Sequence, residues 1–134
     1  MGVYYDMNNN EDISITAENQ SQRRIRPGVK ISLSCEKGFF GPGTKLLLNL
    51  TRETGSLKKA AQQMEVSYSK AIKLIGKIEK QLDCEILVSR QGGPGGGRSL
   101  ITDKAIDLLN RYEAYESECV EYAESIFDKH FAGF

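Results

Sequence analysis

The chain has 134 residues, 40% hydrophobic and 27% charged, with 18 Lys/Arg offset by 18 Asp/Glu. That length suits one domain with an added arm or helix, and it buries a core without metal or disulfide staples. No apolar run reaches the roughly 18 residues of a membrane span, no basic head with an apolar core opens the chain as a secretory signal, and three widely spaced cysteines (Cys35, Cys84, Cys119) fit a reduced cytoplasmic setting rather than a disulfide framework or a zinc site.

Residues 1–24 are polar and rich in Asn, Gln and Ser, the composition of a flexible arm. Arg23-Arg24-Ile25-Arg26 is a small basic cluster before Pro27-Gly28. Residues 29–35 alternate apolar and polar side chains, which predicts a strand with one buried face. Glu36-Lys37-Gly38 reads as a turn, Phe39-Phe40 as the start of a return strand, and Gly41-Pro42-Gly43 as its end. Thr44 is the expected N-cap of a helix through Glu53, with Leu46, Leu47 and Leu50 toward the core. Gly55 is placed to close it, as glycine does at helix C-termini.

Ser56 is the expected N-cap of a short helix in which Leu57, Ala60, Ala61 and Met64 share one face. The alanines allow a neighbouring helix to cross closely. Glu65-Val66-Ser67 is a tight turn anchored by Val66. The following helix, over 68–82, carries Ala71, Ile75, Ile78 and Leu82 as an apolar stripe and Lys70, Lys73, Lys77 and Lys80 as a second stripe on another face. Gly76 lies inside this helix at a cost of about 1 kcal/mol relative to alanine, where it leaves room for an approaching surface. Cys84 follows as a small buried hydrophobe.

Residues 86–90 read as a strand, residues 91–98 as a glycine-rich hairpin tip, and Ser99-Leu100-Ile101 as the returning strand. Thr102 is the expected N-cap of a single helix to about residue 131. Leu108, Tyr112, Tyr115, Cys119, Tyr122 and Ile126 follow alternating steps of four and three along it, the spacing of a helix-to-helix dimer seam. The alternative is that this seam packs back on its own domain, but a helix of about 29 residues is roughly 43 Å long, too long for a domain this small to cover, so a dimer helix is expected.

Zero net charge conceals a polar layout. Residues 44–101 carry ten Lys/Arg and five Asp/Glu, residues 102–134 three and eight, and residues 1–43 five of each. Local rather than total charge decides where a phosphate backbone is attracted.

A helix that reads bases needs short polar and cationic side chains toward its N-terminal end. Ser67, Tyr68, Ser69, Lys70 and Lys73 meet that need, with Ser56 at the start of the preceding helix. Lys77, Arg90 and Arg98 are placed for phosphates, and the tip glycines, Gly95 and Gly96 among them, let the backbone lie flat and offer N–H groups to phosphate oxygens. Residues 92–99 nearly spell a phosphate-binding P-loop, with Arg98 in the lysine position. A P-loop requires a helix directly after the glycines, whereas a strand is expected here. No catalytic constellation surrounds the single histidine, His130, so neither an enzyme nor a metal or other cofactor is expected.

Gly55-Ser56-Leu57, Ala60-Ala61, Val66-Ser67-Tyr68, Ala71, Ile86-Leu87-Val88, the glycine tip and Leu100-Ile101-Thr102 together resemble the N-terminal DNA-binding domain of ModE-type molybdate-responsive transcription regulators. That domain is in turn similar to the LysR-type winged helix. The resemblance covers roughly residues 29–125. It implies a dimer joined through the long C-terminal helix, with paired recognition helices on a palindromic operator. Ile72 stands where the family often carries a large aromatic, a change expected to alter helix packing. No molybdate-binding segment is expected to follow, and residues 1–24 match nothing in the family.

The expected fold is therefore mainly α with small β-hairpins. A polar arm (1–24) precedes a winged helix-turn-helix domain (25–101) and a long dimerisation helix (102–134). The expected function is sequence-specific binding of double-stranded DNA by a homodimer that regulates transcription. The competing reading is a winged helix that docks on other proteins without binding DNA.

Overall fold

The computed structural model describes residues 24–90 and 97–134. The arm expected over residues 1–24 lies outside them apart from Arg24, as do Gly95 and Gly96 of the hairpin tip. The described chain is mainly helical, with two small antiparallel strand pairs. In order it forms β1 (Leu33–Ser34), β2 (Gly38–Phe40), α1 (Pro42–Thr54), α2 (Leu57–Gln63), α3 (Tyr68–Leu82), β3 (Leu87–Arg90), β4 (Arg98–Ile101) and α4 (Asp103–Phe131). No helix among the described residues is long and apolar enough to cross a membrane.

The chain divides into two compact units. One is residues 30–116, and the other, among the described residues, is 24–29 with 117–134. The first unit runs past the boundary expected at Ile101, because the opening turns of α4 belong to its core. Ala105, Leu109 and Tyr112 pack there with Phe39, Phe40, Leu47, Leu48, Leu57, Ala60, Ala61, Ala71, Ile75, Ile78 and Ile86. Tyr112 meets Phe40 edge to face at 4.9 Å between ring centroids, and its hydroxyl donates to the Ile31 carbonyl at 2.8 Å. In the second unit Phe127 stacks on Phe131 at 4.9 Å.

Three local expectations change. The strand expected over residues 29–35 shrinks to Leu33–Ser34, because the register breaks after Leu33 and the chain turns at once to pair with Gly38 and Phe40. Helix α1 begins a turn earlier than Thr44. Gly41 is its N-cap and Pro42 supplies the first helical residue, whose missing N–H has no partner to lose. Thr44 instead closes a capping box: its Oγ1 accepts from the Gly41 N–H at 2.7 Å. The core face of α1 also differs from the expected one: it buries Leu47, Leu48 and Thr51, leaves Leu50 partly buried and exposes Leu46.

The helix ends are closed as the turn residues require. Gly55 adopts φ 69°, and its N–H donates to the Thr51 carbonyl at 2.8 Å. Glu65 takes the same left-handed region, φ 57°, without being glycine. The Val66 N–H reaches the Ala61 carbonyl at 3.0 Å and the Glu65 N–H the Gln62 carbonyl at 3.1 Å, the paired bonds of a Schellman ending. Val66 packs against the core, which fixes the turn between α2 and α3.

Glu116 is the one carboxylate buried in this unit among the described residues. Its Oε1 accepts from Lys45 Nζ at 2.7 Å, while its Oε2 is buried with no hydrogen-bond partner among the described residues. Removing one member of such a pair strands a charge, whereas removing both does not. Lys45→Met is expected to lower the unfolding free energy by about 2–3 kcal/mol, and Lys45→Met with Glu116→Leu to recover most of it, as measured by urea denaturation. Equal losses in the single and double variants would show that the pair is not what stabilises this junction.

Candidate nucleic-acid interface

Helix α2 starts at Ser56, whose side chain accepts from the Lys59 N–H at 3.1 Å. This cap leaves Lys58 and Lys59 exposed in the first turn while Leu57, Ala60 and Ala61 are buried. Ser67 caps α3 in the same way, accepting from the Lys70 N–H at 3.0 Å. Both serines therefore have a structural task, and each keeps a hydroxyl hydrogen to donate.

The β3–β4 hairpin is fixed at its base from three directions. Glu79 of α3 accepts from the Ile86 N–H at 2.9 Å. Thr102 donates its N–H to the Ile86 carbonyl and its hydroxyl to the Glu85 carbonyl, at 3.0 and 2.7 Å. The Ser99 N–H donates to the Gly55 carbonyl at 2.9 Å, which ties β4 to the joint between α1 and α2. Leu87 to Arg90 pair in register with Ile101 to Arg98, so Arg90 and Arg98 face each other across the strands.

That anchoring forms a cleft of about 710 Å³ lined by Ser56, Lys58, Lys59, Gln62, Tyr68, Ser89, Arg90, Gly97, Arg98 and Ser99. Among the described residues four cations line it and no carboxylate does. The ion pairs among the described residues join Lys45 to Glu116 and Arg111 to Asp107, so the four cations of the cleft are free of them. Like charges brought together without counter-charge focus a positive potential, the condition for attracting an anion.

The cleft gathers Ser56, Tyr68, Arg90 and Arg98 from the sequence-derived set. Lys58, Lys59, Gln62, Ser89 and Ser99 were not in that set. Lys58-Lys59 directly after an N-cap was their one available signal, and it reads equally as a solvated first turn. Ser67, Ser69, Lys70, Lys73 and Lys77 are not in the cleft lining; Ser67 is exposed at the cap of α3 and the others along it, and Tyr68, the first residue of α3, borders the cleft. Tyr68 is 50% exposed.

The outward face of α3 is set by its buried one. Ala71, Ile75 and Ile78 point inward, so Ser69, Ile72, Lys73, Gly76 and Lys80, spaced at i, i+3, i+4, i+7 and i+11, share a face turned away from the core. Ile72 is exposed and takes no part in the core, so its aliphatic character does not alter helix packing as expected.

Tyr112 is removed from the seam expected on the last helix. It is 2% exposed and occupied within its own chain. The reason is phase: the buried stripe Ala105, Leu109, Tyr112 and Glu116 passes through the same residue. Leu108 is partly buried against the core, Cys119 and Ile126 are half-buried, and Tyr115 and Tyr122 are exposed.

Comparison with known proteins finds no matching family model and no matching curated protein. The chemistry of the site thus rests on its own residues.

A Cβ built on Gly76 meets nothing within 4 Å, and its φ lies outside the left-handed range. The fold itself has no need of glycine there. Gly76→Ala is expected to raise the unfolding free energy by about 1 kcal/mol, read from thermal or urea denaturation. A loss of stability would show that the glycine serves the fold after all.

Proposed function

We propose that the protein is a sequence-specific DNA-binding regulator of transcription that acts as a homodimer and uses a winged helix-turn-helix. Helix α3 is the recognition helix, the turn at Glu65 to Ser67 sets its crossing with α2, and the β3–β4 hairpin is the wing. The observation that carries this reading is the cleft in which Lys58, Lys59, Arg90 and Arg98 converge with no carboxylate in its lining among the described residues. A phosphate backbone is the polyanion such a cleft fits, because its charges recur at short intervals along an extended ligand.

The division of labour follows from side-chain chemistry. The cleft cations and Tyr68 bind phosphates and so fix the position of α3 without reading sequence. The exposed face of α3 then enters the major groove, which is about 12 Å wide and admits a helix. Ser69, Lys70 and Lys73 lie toward the N-terminal end of α3, where a helix lying in the groove reaches base edges, while Lys77 lies farther along for the backbone.

The homodimer is proposed to form through the later part of α4, with Tyr115, Cys119, Tyr122 and Ile126 facing a partner and Tyr112 excluded. Two copies related by a twofold axis would match a palindromic operator. The resemblance to the ModE-type DNA-binding domain agrees with this arrangement.

The direct test is selection of a preferred duplex from a randomised library, followed by affinity measurement on variants. Lys70→Ala with Lys73→Ala is expected to weaken binding to the selected duplex by more than about tenfold while leaving the thermal unfolding transition in place. Unchanged affinity would remove α3 from recognition. Enrichment of no duplex by a folded protein would favour the protein-docking reading instead.

A further inference from the structure

Ile72 is 46% exposed on a helix that already has a complete buried stripe. It is an apolar side chain set on a polar face, with Ser69 one turn before it, Lys73 beside it and Gly76 one turn after it. The spacing puts these residues together, and Gly76 leaves the surface next to Ile72 open. A lone exposed isoleucine is ordinary on a protein surface. One set beside a lysine and an open glycine, on the face that a duplex would meet, has a more specific use.

We propose that Ile72 reads the C5-methyl group of a thymine in the major groove, and that Gly76 allows the helix backbone close enough for that contact. The proposal rests on the reading of α3 as the recognition helix. Thymine is the base that presents a methyl group there, so apolar contact distinguishes it from cytosine and from a demethylated analogue. Lysines cannot make that distinction, because an ammonium group finds acceptors on guanine, on thymine and on phosphates alike. Ile72 therefore contributes a preference for thymine that Lys70 and Lys73, which reach hydrogen-bond acceptors on base edges, do not supply. The absent Cβ at Gly76 matters for the same reason: a methyl-to-methyl contact falls away within an ångström or so of its optimum distance.

The test uses the full chain and the duplex that it selects from a random library. Each thymine of that duplex is replaced in turn by deoxyuridine, which removes the methyl group and leaves the hydrogen-bonding edge intact. One thymine per half-site is expected to show about a fourfold weakening on demethylation with the unaltered protein, the value of one buried methyl-sized group. Ile72→Ala should bind the thymine and deoxyuridine duplexes equally, with an unchanged melting transition. An unaltered thymine preference in Ile72→Ala, or selective binding that is indifferent to every thymine methyl, would overturn the role of Ile72 and leave the DNA-binding reading standing. Failure to enrich any duplex would overturn both.

Discussion

One backbone hydrogen bond joins the two sides of the cationic cleft. The Ser99 amide donates to the Gly55 carbonyl, and Gly55 is also the residue whose left-handed conformation ends α1 and releases the chain into α2. The same joint thus sets the start of α2, with Lys58 and Lys59, and the position of β4, with Arg98. Residues at helix C-termini have carbonyls to satisfy, and here one is satisfied by a strand that carries a cation. The structure meets an obligation of the backbone and concentrates charge in a single step.

Concentrating four cations works against stability, since like charges repel and none is offset by an ion pair among the described residues. The core beneath supplies what tolerates it. Ala60 and Ala61 of α2 and Ala71 of α3 are fully buried, and their small side chains let these two helices pack closely around the turn at Glu65. The acidic residues are employed elsewhere: Glu116 and Glu113 of α4 accept from Lys45 and Asn49 of α1, and Glu79 accepts from the first amides of the hairpin. Zero net charge is therefore compatible with a strongly polarised surface, because several carboxylates are engaged as hydrogen-bond acceptors away from the cleft.

Much of this was legible in the sequence, and the misses have physical causes. The bounds of α3, the cap at Ser56, the stop at Gly55 and the hairpin strands follow from periodicity and turn chemistry that act within a few residues. The start of α1 was misread because Thr44 is a good N-cap in isolation, while Pro42 is better suited to the first turn than to a break. Of three consecutive leucines, 46–48, packing against residues distant in sequence decides which two are buried. Tyr112 sits where a 3.5-residue seam and a 3.6-residue core stripe coincide. What assigns it to the core is Phe40 and the Ile31 carbonyl, both distant in sequence. Lys58, Lys59 and Gln62 became part of the candidate site only when β4 returned beside them, a tertiary event with no local signature. Glu116 in a core stripe is the same kind of case, intelligible once Lys45 is opposite it.

The central claim is that the cleft is built for a phosphate backbone, and counterion release tests it most directly. Fluorescence anisotropy of a labelled random-sequence duplex, titrated with the full chain at about 50 and 200 mM monovalent salt, isolates the sequence-independent term. If the four cleft cations each neutralise one phosphate, affinity should fall by about a hundredfold between the two conditions. Binding that is absent at the lower salt, or unchanged between the two, would contradict the account.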